Sequence, residues 1–142
     1  MSDLLIKVGK GNMDVKAIHL FLTEESYWAK GISFELVDKS LDNSFCVGAF
    51  MDGKQVGFGR VITDYYTFGW FADFYVLSEH RGRGISKAML AFILEQSWSK
   101  RLRRKMLNTS TGHSLYKQFG FKELANPGYV MEIHQPDVYK GG

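Results

Sequence analysis

Two arginines alternate with two glycines where an apolar run gives way to a helical pattern. The stretch Arg81-Gly82-Arg83-Gly84 follows a run that ends at Leu77. The first N–H groups of a helix have no partner in the helix, and the helix dipole makes that end positive. Glycine removes the β-carbon that would keep a phosphate away from the backbone, and arginine adds positive charge. The spacing therefore predicts an anion cradle that could hold a pyrophosphate on backbone N–H groups.

The cradle differs from the two most familiar phosphate-binding sequences. GRGIS lacks the Lys-Ser/Thr ending of a P-loop. It also lacks the third glycine of a dinucleotide fingerprint, and it lies in the middle of the chain instead of at the first strand–helix turn. From these residues alone, a flexible loop with solvated arginines is an equal alternative.

The elements that must position this turn alternate between strands and helices. Strands are predicted over residues 4–8, 45–50, 56–63, 70–77, 106–109 and 128–134, with an Asp-Gly turn between the second and third. Helices are predicted after caps at Asn12 or Asp14 and at Ser33, and over residues 84–97 and 112–119. Gly57 and Gly59 lie inside a predicted strand, which indicates a bulge or a close backbone approach. The order indicates one α/β domain with a mixed sheet over residues 1–142, not a doubly wound fold.

Composition narrows the functional class. The chain has 142 residues and a net charge of +3, which is far from the basic excess of a nucleic-acid-binding protein. No apolar stretch has the length of a membrane span or a signal peptide, so we expect a cytoplasmic protein without a membrane partner. Cys46 is the single cysteine and lies in the apolar run FCVGAF, where a buried structural thiol is expected.

Two motifs resemble those of the GNAT superfamily of N-acetyltransferases. Residues 81–86 resemble the coenzyme A motif R-x-x-G-x-[GA], with Ser86 in place of the final small residue. LYKQFGF, residues 115–121, is similar to the LYxxxGF motif of the same family and contains Tyr116. The resemblance extends over nearly the whole chain. The segments from SYWAKGIS to PDVY are similar to a bacterial branch whose substrates are mostly unassigned.

The resemblance implies a fold as well as a co-substrate. The implied sheet is central, mixed and mostly antiparallel, with six to seven strands, about four flanking helices and a splay between strands 4 and 5. Acetyl-CoA is the implied co-substrate, and no metal is implied. Its pantetheine arm would pair with strand backbone in the splay, and its pyrophosphate would contact the cradle. The implied coenzyme-binding residues are Phe74, Tyr75, Val76, Arg81, Gly82, Arg83, Gly84, Ile85 and Ser86, together with Asn108 or Thr109 where the family often has Asn.

Tyr116 is the catalytic residue that the resemblance implies. A thiolate leaves when an amine attacks acetyl-CoA, and a phenol can donate a proton to it. The backbone N–H of Val76 would stabilise the oxyanion in a direct attack without a covalent enzyme intermediate. A core tyrosine that packs on Phe119 and Phe121 is the structural alternative.

The sequence gives less specific signals for the residues that would bind the amine acceptor. Asp73 interrupts an apolar strand, and it could take a proton through water, hold a cationic substrate, or pair with Arg60 on the neighbouring strand. The sequence does not favour any one of these roles for Asp73 over the others. Tyr27 and Trp28 lie where the family builds its acceptor pocket, and they could hold an amine by cation–π contact or simply form a wall.

The expected function is transfer of an acetyl group from acetyl-CoA to a primary amine of a small molecule or a protein. The alternative is an acyl-CoA-binding module with little turnover. Expected partners are the coenzyme and an amine acceptor, with no nucleic acid. Because many relatives pair through C-terminal strands, a homodimer is left open.

Overall fold

A five-stranded sheet forms the centre of the computed structural model, which describes residues 3–140. The strands lie side by side in chain order: β1 Leu5–Val8, β2 Ser44–Met51, β3 Lys54–Thr63, β4 Phe68–Val76 and β5 Arg104–Leu107. The first three pairings are antiparallel, and β4 and β5 run parallel. The expected fold class, a mixed and mostly antiparallel sheet with flanking helices, is confirmed.

Five α-helices flank the sheet in the described part of the chain. They are α1 Val15–Glu24, α2 Phe34–Asp42, α3 Ile85–Leu94, α4 Ser97–Arg101 and α5 His113–Lys117. The Asp14 and Ser33 side chains accept the N–H groups of Ala17 and Leu36, so both predicted caps are present. The predicted helix over 84–97 ends earlier, because Gln96 is extended (ψ 137°) and separates α3 from α4. Within residues 3–140, no helix is long and apolar enough to cross a membrane.

The sheet carries an apolar core on each face. The core on one face includes Ile18 of α1, Val37 of α2 and Phe58 of β3, and the core on the other includes Met89 of α3 and Val61 of β3. Cys46 lies in the first core with 1% of its surface exposed. Burial raises the pKa of its thiol to about 11. The expectation of a buried structural thiol is confirmed.

The predicted strand over residues 128–134 is wrong for the described chain. A 3-10 turn occupies Pro127–Tyr129, and the residues that follow pair with no strand. The sheet therefore has five strands in the described residues instead of six or seven. Alternating apolar residues indicate a strand only if a neighbouring strand exists to cover them, and here Met131 and Ile133 are 92% and 94% exposed.

Candidate active site

A gap opens between β4 and β5 at their carboxyl ends. The parallel pairing joins Phe68–Phe71 to Arg104–Leu107, and β4 then continues to Val76 with β3 as its partner. The Leu77 N–H donates to the Val56 carbonyl at 2.9 Å and so points toward β3. Because successive residues of a strand point their N–H groups to opposite sides, the Val76 N–H points into the gap. The splay that the resemblance implied is therefore present, with β4 backbone exposed to it.

A bulge in β4 shapes the middle of this gap. Arg60 of β3 is opposite Ala72 and Phe58 is opposite Tyr75, so Asp73 and Phe74 together face Gly59. The extra residue places Asp73 in the left-handed region (φ 60°). A β-carbon at position 59 would collide with the Phe74 ring. The close approach predicted from the glycines inside this strand is confirmed.

The glycine-rich turn lies between β4 and α3. Gly82 (φ 78°) and Gly84 (φ 77°) are both left-handed, and a β-carbon on either would point into open space. Gly84 caps α3 without a side-chain hydrogen bond. The Arg81 N–H donates to the Ser78 carbonyl at 3.3 Å, and Arg81 Nε donates to the Val76 carbonyl at 3.0 Å. Arg81 thus fixes the turn to the end of β4, whereas the N–H groups of residues 82–86 donate to no other described residue.

A cleft of about 740 Å³ extends from the gap toward α5. It brings together eight of the predicted site residues: Tyr27, Trp28, Asp73, Phe74, Ser86, Asn108, Thr109 and Tyr116. The others lie outside its lining. The Tyr75 ring is buried on the opposite face and stacks on Phe21 with centroids 3.8 Å apart, and the Ile85 side chain is buried beneath α3. Val76 ends β4, and Arg81, Gly82, Arg83 and Gly84 lie in the turn that leads from β4 to α3.

Tyr116 lies on α5 and lines the cleft. Its ring packs edge-on against Phe121, with centroids 5.8 Å apart. Burial is the main cause that raises the pKa of Tyr116 above its usual value of 10.0, and Tyr27 adds to the shift. The phenol is therefore neutral, and can donate a proton, at physiological pH.

A hydrogen bond before α5 involves another predicted coenzyme residue. Thr109 Oγ1 accepts the Gly112 N–H at 2.8 Å. A β-carbon at position 112 would lie 2.9 Å from this oxygen and 3.1 Å from Tyr116 Cε2, so the glycine allows the tyrosine to lie close to the turn. Thr109 thus shapes the turn that carries Tyr116, while Asn108 lines the cleft.

An ionic network lies in the wall of the cleft beside Trp28. Asp73 Oδ2 accepts Arg60 Nε and its Oδ1 accepts Trp28 Nε1, both at 2.7 Å. Arg60 also donates from Nη1 to Ser44 Oγ at 2.9 Å. Among the alternatives for Asp73, the structure thus shows the pair with Arg60. Behind this network a smaller cavity of about 410 Å³ shares Trp28, Arg60 and Asp73 as its wall.

Contacts between distant segments complete the cleft, and sequence reasoning missed them. Ser110 Oγ donates to the Tyr27 hydroxyl at 2.9 Å, which joins the loop after α1 to the loop before α5. His134 and Pro136 line the cleft from the C-terminal segment. These contacts join segments far apart in the chain, so no local pattern could predict them.

Comparison with known proteins agrees with this architecture. The family model described as "Acetyltransferase (GNAT) domain" matches residues 42–123. A candidate acetyltransferase of Gibberella zeae is 30% identical, with 85% of this chain and 80% of that protein covered. A crystal structure of a candidate GNAT acetyltransferase from Xanthomonas campestris pv. campestris has a TM-score of 0.95 and 40% identity, with 99% of both chains covered.

A more distant neighbour shares the fold alone. It is a candidate acetyltransferase from Clostridium acetobutylicum, solved with acetyl-CoA. Its TM-score is 0.67 and its identity 16%, with 93% of this chain and 96% of that chain covered. The family model matches more than half of this chain. The alignment with the Gibberella relative covers most of both proteins. Together with the splayed sheet and the glycine turn, these matches show that the chain belongs to the GNAT family of acetyltransferases.

Proposed function

We propose that this protein transfers the acetyl group of acetyl-CoA to a primary amine by direct attack in a ternary complex. The observation that carries the proposal is one continuous path. It runs from the N–H groups of the glycine turn, which donate to no other described residue, along the exposed edge of β4 to the cleft that Ser86 and Tyr116 line. Such a path matches the three parts of acetyl-CoA: an anion, an amide chain and a thioester.

The residues present fit the coenzyme. The open space beside Gly82 and Gly84 leaves the backbone accessible to a pyrophosphate. Beyond Phe71, the edge of β4 has no partner strand on its β5 side within residues 3–140, and the amides of a pantetheine chain could supply the missing hydrogen bonds. Acetyl-CoA supplies an activated thioester, and the chain's own groups bind and orient it.

The chemistry assigned to the residues follows from their positions. The neutral amine attacks the thioester carbon, and the Val76 N–H stabilises the oxyanion that forms. As the C–S bond breaks, the Tyr116 hydroxyl gives its proton to the departing sulfur and is reprotonated by solvent. The proton lost by the amine leaves to water in the cleft. We assign Asp73 to positioning, since donors already hold both of its oxygens, and Tyr27 and Trp28 to the acceptor wall.

Thiol release tests the proposal directly. The protein is incubated with acetyl-CoA and a panel of primary amines, both small molecules and peptides, and free coenzyme A thiol is measured. Because Cys46 is buried, the protein contributes little background in its folded state. We expect saturable release with at least one amine. Tight coenzyme binding without release for any amine supports the binding-module alternative, and absence of coenzyme binding refutes both functions.

A further inference from the structure

The smaller cavity of about 410 Å³ lies beside the active-site cleft and has no role in the proposed mechanism. Trp28, Arg60 and Asp73 line both spaces, whereas Tyr116 lines the cleft and not the cavity. The other side chains around the cavity come from α1, α2, the loop between them and the C-terminal segment, and none of them lines the cleft. The cavity is therefore distinct from the cleft in most of its lining.

Apolar side chains form most of the cavity wall. They are Leu22, Ala29, Ile32 and Leu36, together with Trp28 and Tyr139. Backbone hydrogen bonds hold the loop after α1, since the Ile32 N–H donates to the Ala29 carbonyl at 3.0 Å and the Gly31 N–H to the Thr23 carbonyl at 3.1 Å. Tyr139 approaches this loop closely, because a β-carbon on Gly31 would lie 3.2 Å from the Tyr139 carbonyl oxygen. The wall is thus preformed, and it suits a ligand with an apolar body.

Arg60 brings a cation to the lining and keeps one donor unused. Its Nε donates to Asp73 at 2.7 Å, and its Nη1 donates to Ser44 Oγ at 2.9 Å. Its Nη2 donates to no residue of the described chain, and the protein does not enclose this atom completely. Because only 14% of the Arg60 side chain is exposed, water screens little of its charge from a bound anion.

Lys39 of α2 is the second cation of the lining. It forms no ion pair with Glu35, one helical turn before it, or with any other residue from 3 to 140. The hydrogen bond from Lys10 is the main cause that lowers the pKa of Asp42, and the charge of Lys39 adds to it. Lys10, at 2.7 Å, is thus the ion-pair partner of Asp42, and the Lys39 ammonium group is available to a ligand.

The charges around the cavity favour a ligand with a single negative charge. Lys39 and Arg60 contribute two positive charges to the described lining, and Asp73 contributes one negative charge. The oxygens of Asp73 already accept from Arg60 Nε and Trp28 Nε1, both at 2.7 Å, so they offer little to a cationic ligand. One carboxylate on the ligand would neutralise the positive charge that is left.

We propose that this cavity is a second binding site, which takes small monocarboxylates with an apolar, preferably aromatic, body. The carboxylate pairs with Lys39 and accepts from Arg60 Nη2, while the body packs on the apolar wall. A neutral molecule of the same shape leaves the cations without a partner, and a bare carboxylate leaves the wall uncovered, so binding needs both parts. The inference goes beyond acetyl transfer and does not depend on it, because such a ligand carries no amine.

Titration calorimetry of the full chain without coenzyme tests the site, with 3-phenylpropanoate as the probe. We expect a Kd of about 1 mM or tighter, which is reasonable for a ligand of this size. Two other probes separate the parts of the ligand, since 3-phenylpropanamide lacks the charge and acetate lacks the body. Both are expected to bind at least about tenfold more weakly. Equal affinity for the amide, or no saturable binding of 3-phenylpropanoate at about 10 mM, overturns the proposal.

Two substitutions with matched controls connect the binding to the cavity. Lys39→Gln is expected to raise the Kd about threefold to fivefold, the scale of an exposed ion pair, and Lys16→Gln on the exposed face of α1 should leave it unchanged. Leu36→Trp fills part of the cavity from a side chain that is 50% exposed, so we expect the fold to persist and binding to be lost. Leu20→Trp, at a 59% exposed residue of α1, is its control. Unchanged affinity in either cavity variant overturns the proposal.

The indole N–H signals of the three tryptophans locate the bound probe. Trp28 lines both spaces, Trp70 lines the cleft and not the cavity, and Trp98 contacts Phe45 and Tyr65 outside both. In a proton–nitrogen correlation spectrum, we expect 3-phenylpropanoate to shift the Trp28 signal and to leave the signals of Trp70 and Trp98 in place. A shift of Trp70 as large as that of Trp28 would place the probe in the cleft and overturn the proposal.

Discussion

Arg60 and Asp73 form an ion pair between adjacent strands, with Arg60 Nε 2.7 Å from Asp73 Oδ2 and only 14% and 12% of their side chains exposed. The pair lies where the β4 bulge turns Asp73 into the left-handed region. Arg60 reaches Ser44 on β2, and Asp73 reaches Trp28 in the loop after α1. One half-buried charge pair thus joins three strands to the loop after α1.

Loss of the Asp73 charge is expected to destabilise the fold. Asp73→Asn keeps the side-chain shape and tolerates a left-handed backbone, so it isolates the charge. We expect the free energy of unfolding to fall by about 2–3 kcal/mol, because the half-buried Arg60 guanidinium loses its counter-ion. Urea denaturation measures this. Asp137→Asn removes the exposed partner of Lys140 and should cost less than about 1 kcal/mol. If both variants lost the same free energy of unfolding, the Arg60–Asp73 pair would not be the stabilising interaction that we infer.

The glycine turn is expected to control coenzyme affinity. Gly84→Ala adds a β-carbon in the open space where the pyrophosphate is proposed to bind. We expect the Kd for coenzyme A to rise by about tenfold or more, since blocked backbone donors cost at least 1.4 kcal/mol. Titration calorimetry measures the change.

The chain supplies a matched control for that substitution. Gly53 in the β2–β3 turn has a φ of 76° and also has nothing within 4 Å of an added β-carbon. Gly53→Ala should therefore carry the same backbone strain, about 1–2 kcal/mol, while coenzyme affinity stays unchanged. A similar rise in Kd for both variants would show that strain, not the anion site, is responsible.

Removal of the Tyr116 hydroxyl is expected to slow acetyl transfer without loss of coenzyme binding. For Tyr116→Phe we expect kcat to fall by about 100-fold, the scale of a single general acid. Because burial raises the pKa of Tyr116, the phenol keeps its proton until the pH exceeds its usual value near 10, so activity should not decline from this group below that pH. Steady-state kinetics across pH 6–10 test both points.

Tyr66→Phe is the control for Tyr116→Phe, because Tyr66 is 70% exposed and lies outside the cleft. It should leave kcat unchanged. A Tyr116→Phe variant with full kcat would remove the general acid from the mechanism while leaving the coenzyme site intact.

Burial of Cys46 is expected to make stability fall at high pH. Its pKa is raised from 9.0 to about 11, so the folded state disfavours the thiolate. The unfolded chain loses the proton first, and the free energy of unfolding drops by about 2 kcal/mol between pH 9 and 11. The buried Tyr75, with a raised pKa, acts in the same direction at higher pH. Cys46→Ala should show a smaller drop in denaturant titrations, and an identical drop would contradict this account.

The sequence predicted the helix caps and the close backbone contact, because neighbouring residues determine both features. Asp14 and Ser33 cap their helices because a short polar side chain can reach the free N–H groups two or three residues ahead. Gly59 signalled a close approach, which the Phe74 ring makes. The two motifs predicted the family before any geometry was known.

Contacts between residues that are far apart in the chain could not be predicted in the same way. The left-handed φ of Asp73 follows from a register shift between β3 and β4, which has no sequence signature of its own. The Tyr27–Ser110 contact joins residues 83 apart. The strand predicted over residues 128–134 is absent because alternating apolar residues form a strand only beside a neighbouring strand, and the described residues place none there.

Gly59 belongs to β3 and contributes no atom to the lining of the cleft, yet its missing side chain decides where the Phe74 ring can rest. Any larger residue there would push that ring outward, into the cleft that Phe74 lines. The width of the cleft beside β4 is therefore set from β3, by a residue that does not line the cleft.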